Sequence, residues 1–244
     1  MHGTVRYRVQ IVFLDAAGTL IRLRQPVGQS YGECAAGFGF QAGRDPETWR
    51  ELERSFAAAL QAKGPLAFPG QGPDIIPDLE RHWWKDVVRQ TFEPMALFPR
   101  WEECFERLYD FFSTADAWKL EVGCRDTLSR LIDNGLSIGL LSNFDSRIDS
   151  LLQQLDIRSF FSHLTISSRV GAAKPDLAIF RHALQKTGFE AAQALHVGDS
   201  LEKDFKGAQR AGMQALLYDP WKRALGSLDK RRIERLTELS RLLL

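Results

Sequence analysis

Short apolar runs alternate with stretches of helical period along most of this chain. Val9–Leu14, Leu136–Leu141, His163–Ile166, Ala194–Val197 and Gln214–Tyr218 are too short for helices, which predicts buried strands. Between them, Arg125–Asp133, Ser146–Leu155, Leu177–Thr187 and Leu201–Ala211 carry apolar residues at helical spacing. That alternation predicts an α/β fold: a Rossmann-like core with a parallel sheet and helices on both faces.

The rhythm breaks between Arg24 and Trp118. No convincing strand falls there, but segments of helical character lie near Val27–Gly37, Pro46–Ala62, Leu79–Phe92 and Trp101–Phe112, two of them separated by the Gly/Pro-rich stretch GPLAFPGQGP. The expectation is an all-helical insert over residues 24–118 in a core of residues 1–23 and 119–244. The insert is rich in aromatics, among them Trp49, Phe56, Trp83, Trp84, Phe92, Trp101 and Phe105. Filling the interior of a small bundle accounts for them better than stacking on a substrate. The tail, LDKRRIERLTELSRLLL, places Ile233, Leu236, Leu239 and Leu243 near helical spacing and predicts an amphipathic helix, with Lys230–Arg232 on its solvated face.

Composition narrows the function. The formal net charge of the 244 residues is +1, which gives no electrostatic basis for binding nucleic acid or an acidic membrane. No apolar run approaches the roughly 20 residues that span a bilayer. The first one, VQIVFL, is too short for a signal-peptide core, so the N-terminus reads as mature and the protein as cytoplasmic. Cys34, Cys104 and Cys124 are odd in number and lack metal-ligand spacing, and read as reduced thiols. GFGFQA mimics a dinucleotide fingerprint but follows a helical segment rather than a strand, so its glycines lack the required context.

Candidate chemistry gathers where strands end. Asp15 closes the first strand in LDAAGTL, where α/β proteins place ligand sites, although Asp also serves turns freely. Ser142 and Asn143 close the second in LLSN; they can donate to an anion or simply cap the next helix. Lys174 precedes Pro175 just before a helix, where an ammonium can neutralise a carboxylate and a phosphate together; a solvent-exposed lysine is the commoner outcome. Asp199 and Asp204 share the loop GDSLEKD. With Asp15 they would suit a hard, oxygen-preferring cation such as Mg²⁺, while Asp204 alone is equally a first-turn helix charge.

Order and placement say more than any one motif. LDAAGTL, LLSN, AAKPD and GDSLEKD resemble, in sequence, the four motifs of the haloacid dehalogenase (HAD)-like hydrolase superfamily, and the insert resembles its helical cap. RHWWKDVVRQTF and SNFDSRIDSLL carry a closer resemblance to the haloacid-dehalogenase-like hydrolase domain-containing protein 3 group, also called rhythmically-expressed-gene-2-like. The resemblance implies a phosphatase acting on a small phosphorylated metabolite. Asp15 would be the nucleophile and form an aspartyl-phosphate. Mg²⁺ would be held by Asp15, the backbone carbonyl of Ala17 and Asp199, with Asp204 as ligand or support. Ser142, Asn143 and Lys174 would bind the phosphoryl group.

One position departs from the pattern. Phosphatases of this superfamily carry Asp two residues after the nucleophile as general acid and base; here that residue is Ala17. Such help is worth about 10²–10⁴ in rate. Three readings follow: a phosphatase without its usual acid, a phosphate-binding regulatory pseudoenzyme, or another hydrolase of the superfamily. LDAAGTL also resembles phosphonate-cleaving members, which need a cap lysine for a Schiff base; Lys63 and Lys85 are the candidates. GDSLEKD keeps the metal carboxylates and argues against dehalogenation.

Overall fold

The structure, a computed structural model, describes residues 9–222 and 231–243. The chain forms two compact units. The first runs to Arg22, takes in Ala67–Gln71 and resumes at Leu120; the second comprises Leu23–Leu66 and Gly72–Lys119. Ala67–Gln71 thus groups with the first unit although it lies within the span expected as insert.

A six-stranded sheet organises the first unit. Its strands are β1 (Ile11–Leu14), β4 (Ser137–Ser142), β5 (His163–Ile166), β6 (Ala194–Gly198), β7 (Gln214–Tyr218) and β8 (Arg232–Ile233), in the order β5-β4-β1-β6-β7-β8. Every pairing is parallel. All four residues of β1 are buried, as a central strand covered on both faces requires. From β1 the chain builds outward to β4 and β5, then crosses back to β6 on the other side. This reversal makes the C-terminal ends of β1, β4 and β6 the switch point at which open α/β sheets bind ligands. Phe13, Leu141, Ile179, Phe180, Phe205 and Leu217 are among the residues of one buried apolar cluster. The helices of this unit are α5 (Cys124–Asp133), α6 (Ile148–Gln154), α7 (Ser167–Val170), α8 (Leu177–Thr187), α9 (Gly207–Arg210) and α10 (Leu239–Leu243).

In the second unit lie α1 (Val27–Ala36), α2 (Pro46–Lys63), α3 (Ile76–Phe92) and α4 (Trp101–Phe111). α2 begins where such a sequence should: the Asp45 carboxylate accepts from Thr48 N at 3.0 Å and Pro46 opens the first turn. The aromatics form the interior. Phe92 stacks on Tyr31 at 5.9 Å between ring centroids and meets Phe40 and Phe98 edge-on at 5.6 and 5.3 Å.

Two expectations change. Ile233 does not start a helix: Arg232 and Ile233 pair with Leu217 and Tyr218 as a parallel edge strand, and only Leu239–Leu243 is α-helical. The spacing of Ile233, Leu236 and Leu239 arises equally from a strand followed by a turn, and the open edge of β7 offers a strand its hydrogen bonds. Leu228, Asp229 and Lys230 lie outside the described residues. The second change is a two-stranded sheet of β2 (Ile21–Leu23) and β3 (Trp118–Leu120), strands too short to show periodicity. Among the described residues, no helix is long and apolar enough to cross a membrane.

Candidate active site

Asp15 follows β1 directly, and its backbone N–H extends the sheet by donating to Val197 O at 2.9 Å. The chain then turns back on itself: Ala16 O accepts from the N–H groups of Leu20 and Ile21 at 2.8 and 3.0 Å. Gly18 makes this possible at φ +89°, and a side chain there would also collide with Asp199, since a β-carbon would stand 2.6 Å from its Oδ2. Ala17 sits exposed on this turn, two residues after Asp15.

From the neighbouring strand, Ser142 Oγ donates to Asp15 Oδ1 at 2.9 Å. Lys174 Nζ reaches the same oxygen at 2.7 Å and also donates to Leu141 O at 2.9 Å and Asp204 Oδ1 at 2.5 Å. Lys174 is therefore a buried ammonium with three acceptors, not a loop lysine in solvent. Asn143 fixes its backbone: Asn143 Nδ2 donates to Lys174 O at 2.9 Å, and Lys174 N donates to Asn143 Oδ1 at 2.7 Å. Asn143 thus spends its amide on placing Lys174, with one N–H left over.

Asp199 and Asp204 come from the end of β6 but play different parts. Asp199 follows Gly198 and keeps a solvent-open side. Asp204 folds back beneath Gly198 because Leu201–Lys206 is a π-helical turn rather than the expected start of an α-helix. Its Oδ2 accepts from Ser200 N at 2.9 Å, and its Oδ1 accepts from Lys174 and lies 2.9 Å from His196 Nε2. His196 is a partner the motifs did not reveal. It is fully buried on β6, edge-on to Phe180 with 5.6 Å between ring centroids. A polar residue inside the apolar run ALHVG was its sequence signal, because a buried ring nitrogen demands a partner.

Three carboxylate oxygens, from Asp15, Asp199 and Asp204, lie within 4.8 Å of one another. One ammonium serves two of them. Burial alone would discharge Lys174, but the Asp15 and Asp204 carboxylates outweigh it and raise its pKa. Burial likewise works against charge on Asp204, and Lys174 and His196 outweigh it to hold this carboxyl below the usual carboxylate range. Asp199 makes no ion pair among the described residues. Burial, then the charges of Asp15 and Asp204, push it up to about 6.

In the second unit, Lys63 Nζ lies 2.6 Å from Asp86 and Lys85 Nζ 2.8 Å from Glu102. Both are ion pairs of partly exposed side chains, and these are the two lysines the phosphonate reading would need.

A family model described as haloacid dehalogenase-like hydrolase matches residues 9–212. The haloacid dehalogenase-like hydrolase domain-containing protein 3 of Mus musculus is 36% identical over 219 residues, spanning 87% of this chain and 82% of that protein. The rhythmically expressed gene 2 protein of Drosophila melanogaster is 28% identical over 221 residues, 86% of this chain and 83% of that protein. Among solved structures, the HAD-hydrolase YfnB from Bacillus subtilis, bound to magnesium, aligns with a TM-score of 0.71 at 20% identity, covering 98% of this chain and 99% of that one.

Proposed function

The chain belongs to the haloacid dehalogenase-like hydrolase family, and on that premise we propose that it is a Mg²⁺-dependent phosphatase acting on a small phosphorylated metabolite through an aspartyl-phosphate on Asp15. The observation that carries this reading is the group of three carboxylates, two of them bonded to one buried ammonium. The residues fit a hard divalent cation. Their donors are oxygens, and Asp199 makes no ion pair among the described residues while burial and two neighbouring carboxylates raise its pKa. On this reading Asp15, Asp199 and the backbone carbonyl of Ala17 hold the ion. When bound, Mg²⁺ supplies positive charge that shields the carboxylates and the phosphoryl oxygens.

The remaining steps fall to side chains. Asp15 Oδ1 is engaged by Ser142 and Lys174, which leaves Oδ2 to attack phosphorus. Ser142 and Lys174 stand beside the nucleophile and stabilise charge on the transferring group. Asn143 holds Lys174 in place and can offer its remaining N–H to phosphate. Asp204, with its oxygens already accepting from Lys174, His196 and Ser200, orients the ammonium in preference to binding metal directly. Ala17 supplies no proton, so the leaving group departs with its charge or takes a proton from water. Residues 1–23 and 119–244 then form the catalytic core and residues 24–118 the inserted cap. The three free thiols suit a reducing, cytoplasmic setting.

The test is turnover of phosphate esters, acyl phosphates and phosphonates with and without Mg²⁺. Mg²⁺-dependent phosphate release that disappears in Asp15→Asn is expected. Anion binding without turnover of any substrate would instead favour a phosphate-binding pseudoenzyme.

A further inference from the structure

The second unit holds a pair of cysteines that the proposed hydrolysis does not use. Cys34 on α1 and Cys104 on α4 are 70 positions apart in sequence, yet their sulfurs lie 3.7 Å from each other. Their surroundings differ. Cys34 is half-buried and lines a pocket of about 370 Å³ together with Glu33, Phe38 and Arg107, whereas Cys104 is fully buried behind it. A small solute can therefore reach Cys34, but Cys104 is reached through it.

We propose that Cys34 and Cys104 are a redox-active thiol pair, which a hydroperoxide oxidises to a reversible disulfide joining α1 to α4. Exposure assigns the roles, since Cys34 lines the pocket and Cys104 is fully buried. Cys34 Sγ also lies 3.9 Å from the Cys104 carbonyl oxygen, and the Cys104 thiol, opposed by burial and aided by the Arg107 charge, lowers the Cys34 pKa. The Cys34 contact, with burial, raises the Cys104 thiol. Cys34 attacks first. Its sulfur forms an S–O bond as the peroxide O–O bond breaks; the sulfur loses two electrons, and the leaving oxygen takes a proton from water. The product is a sulfenic acid at Cys34. The Cys104 sulfur then attacks the Cys34 sulfur, the S–O bond breaks, and hydroxide leaves as water with the Cys104 proton. A thiol reductant reverses the bond by exchange. Side-chain rotation must bring the sulfurs from 3.7 Å to the roughly 2.05 Å of a disulfide.

Cys124 provides an internal control, because burial pushes its thiol up to about 12. The experiment treats the folded, full-length protein with hydrogen peroxide, quenches it, and counts thiols after denaturation. Of three thiols, one is expected to remain, at Cys124, with the intact mass lower by two hydrogens and a non-reduced peptide joining Cys34 to Cys104. Dithiothreitol should restore all three. Cys104→Ser should stop at a Cys34 sulfenic acid that a 1,3-dione probe captures, and Cys34→Ser should leave both other thiols intact. Wild-type protein that keeps all three thiols, or that overoxidises Cys34 while Cys104 stays reduced, overturns the proposal. The wild-type measurement decides even where a variant fails to fold.

Discussion

The carboxylate of Asp204 packs so closely against Gly198 that a β-carbon on that glycine would stand 2.2 Å from Asp204 Cγ. The glycine of GDSLEKD is thus a steric requirement of the second aspartate in the same motif. It lets the π-helical turn fold Asp204 back beneath the strand to meet Lys174 and His196.

Gly198→Ala is therefore expected to displace Asp204 and destabilise the protein by about 1–3 kcal/mol, the usual cost of overpacking a tight site. Gly72→Ala is the control, because a β-carbon there meets nothing within 4 Å. Thermal melts of both variants check this; equal melting temperatures would remove the steric argument.

Lys174→Met leaves Asp15 and Asp204 buried without their ammonium, a loss of roughly 3–5 kcal/mol at neutral pH. Asp204 is held below its ordinary value of 3.8, so its contribution is present above that value and is lost as pH falls through its folded value. The stability gap between wild type and variant should be widest near neutrality and close on acidification. Denaturant titrations across pH measure it, and a gap that widens in acid contradicts the pairing.

Asp199 shows the opposite sign. Its pKa rises from 3.8 to about 6 on folding, so the metal-free native state holds the proton more tightly than the unfolded chain. Stability from this group falls as pH climbs through that window and stays low above it. Asp199→Asn should raise the melting temperature of metal-free protein above about pH 6. Mg²⁺ should raise the wild-type melting temperature and lose much of that effect in the variant. An undiminished Mg²⁺ response in Asp199→Asn would remove this residue from the proposed metal site.

Ala17 predicts a steep dependence on leaving group. Without a proton donor at this position, acyl and aryl phosphates should turn over far faster than alkyl or sugar phosphates. Ala17→Asp should accelerate the alkyl substrates more, by up to about 10²–10⁴. Equal native rates on aryl and alkyl esters would show that another group supplies the proton.

The longer strands and helices of both units were legible because they carry the periodicity of their element: Ile11–Leu14 as a buried apolar run, and Val27–Ala36 and Trp101–Phe111 as helical stripes. Asp15, Ser142, Lys174 and Asp199 were legible because each follows or flanks a strand of one predicted sheet, and chain order fixes which end of a parallel strand comes last. Pairing was not. β2, β3 and β8 are two or three residues long and exist only because a partner strand accepts their hydrogen bonds.

Sequence by itself therefore determined the class of fold, the family and the presence of an alanine where a proton donor was expected, since these depend on local pattern and residue identity. Tertiary structure alone decided how charge is shared: Lys174 joined to Asp15 and Asp204, Asn143 gripping the Lys174 backbone, His196 bonded to Asp204, and Asp199 left without an ion pair among the described residues. Those relations depend on distances of 2.5–2.9 Å between groups up to 159 positions apart. Chain order does not encode such distances, and burial changes the strength of every one of these interactions.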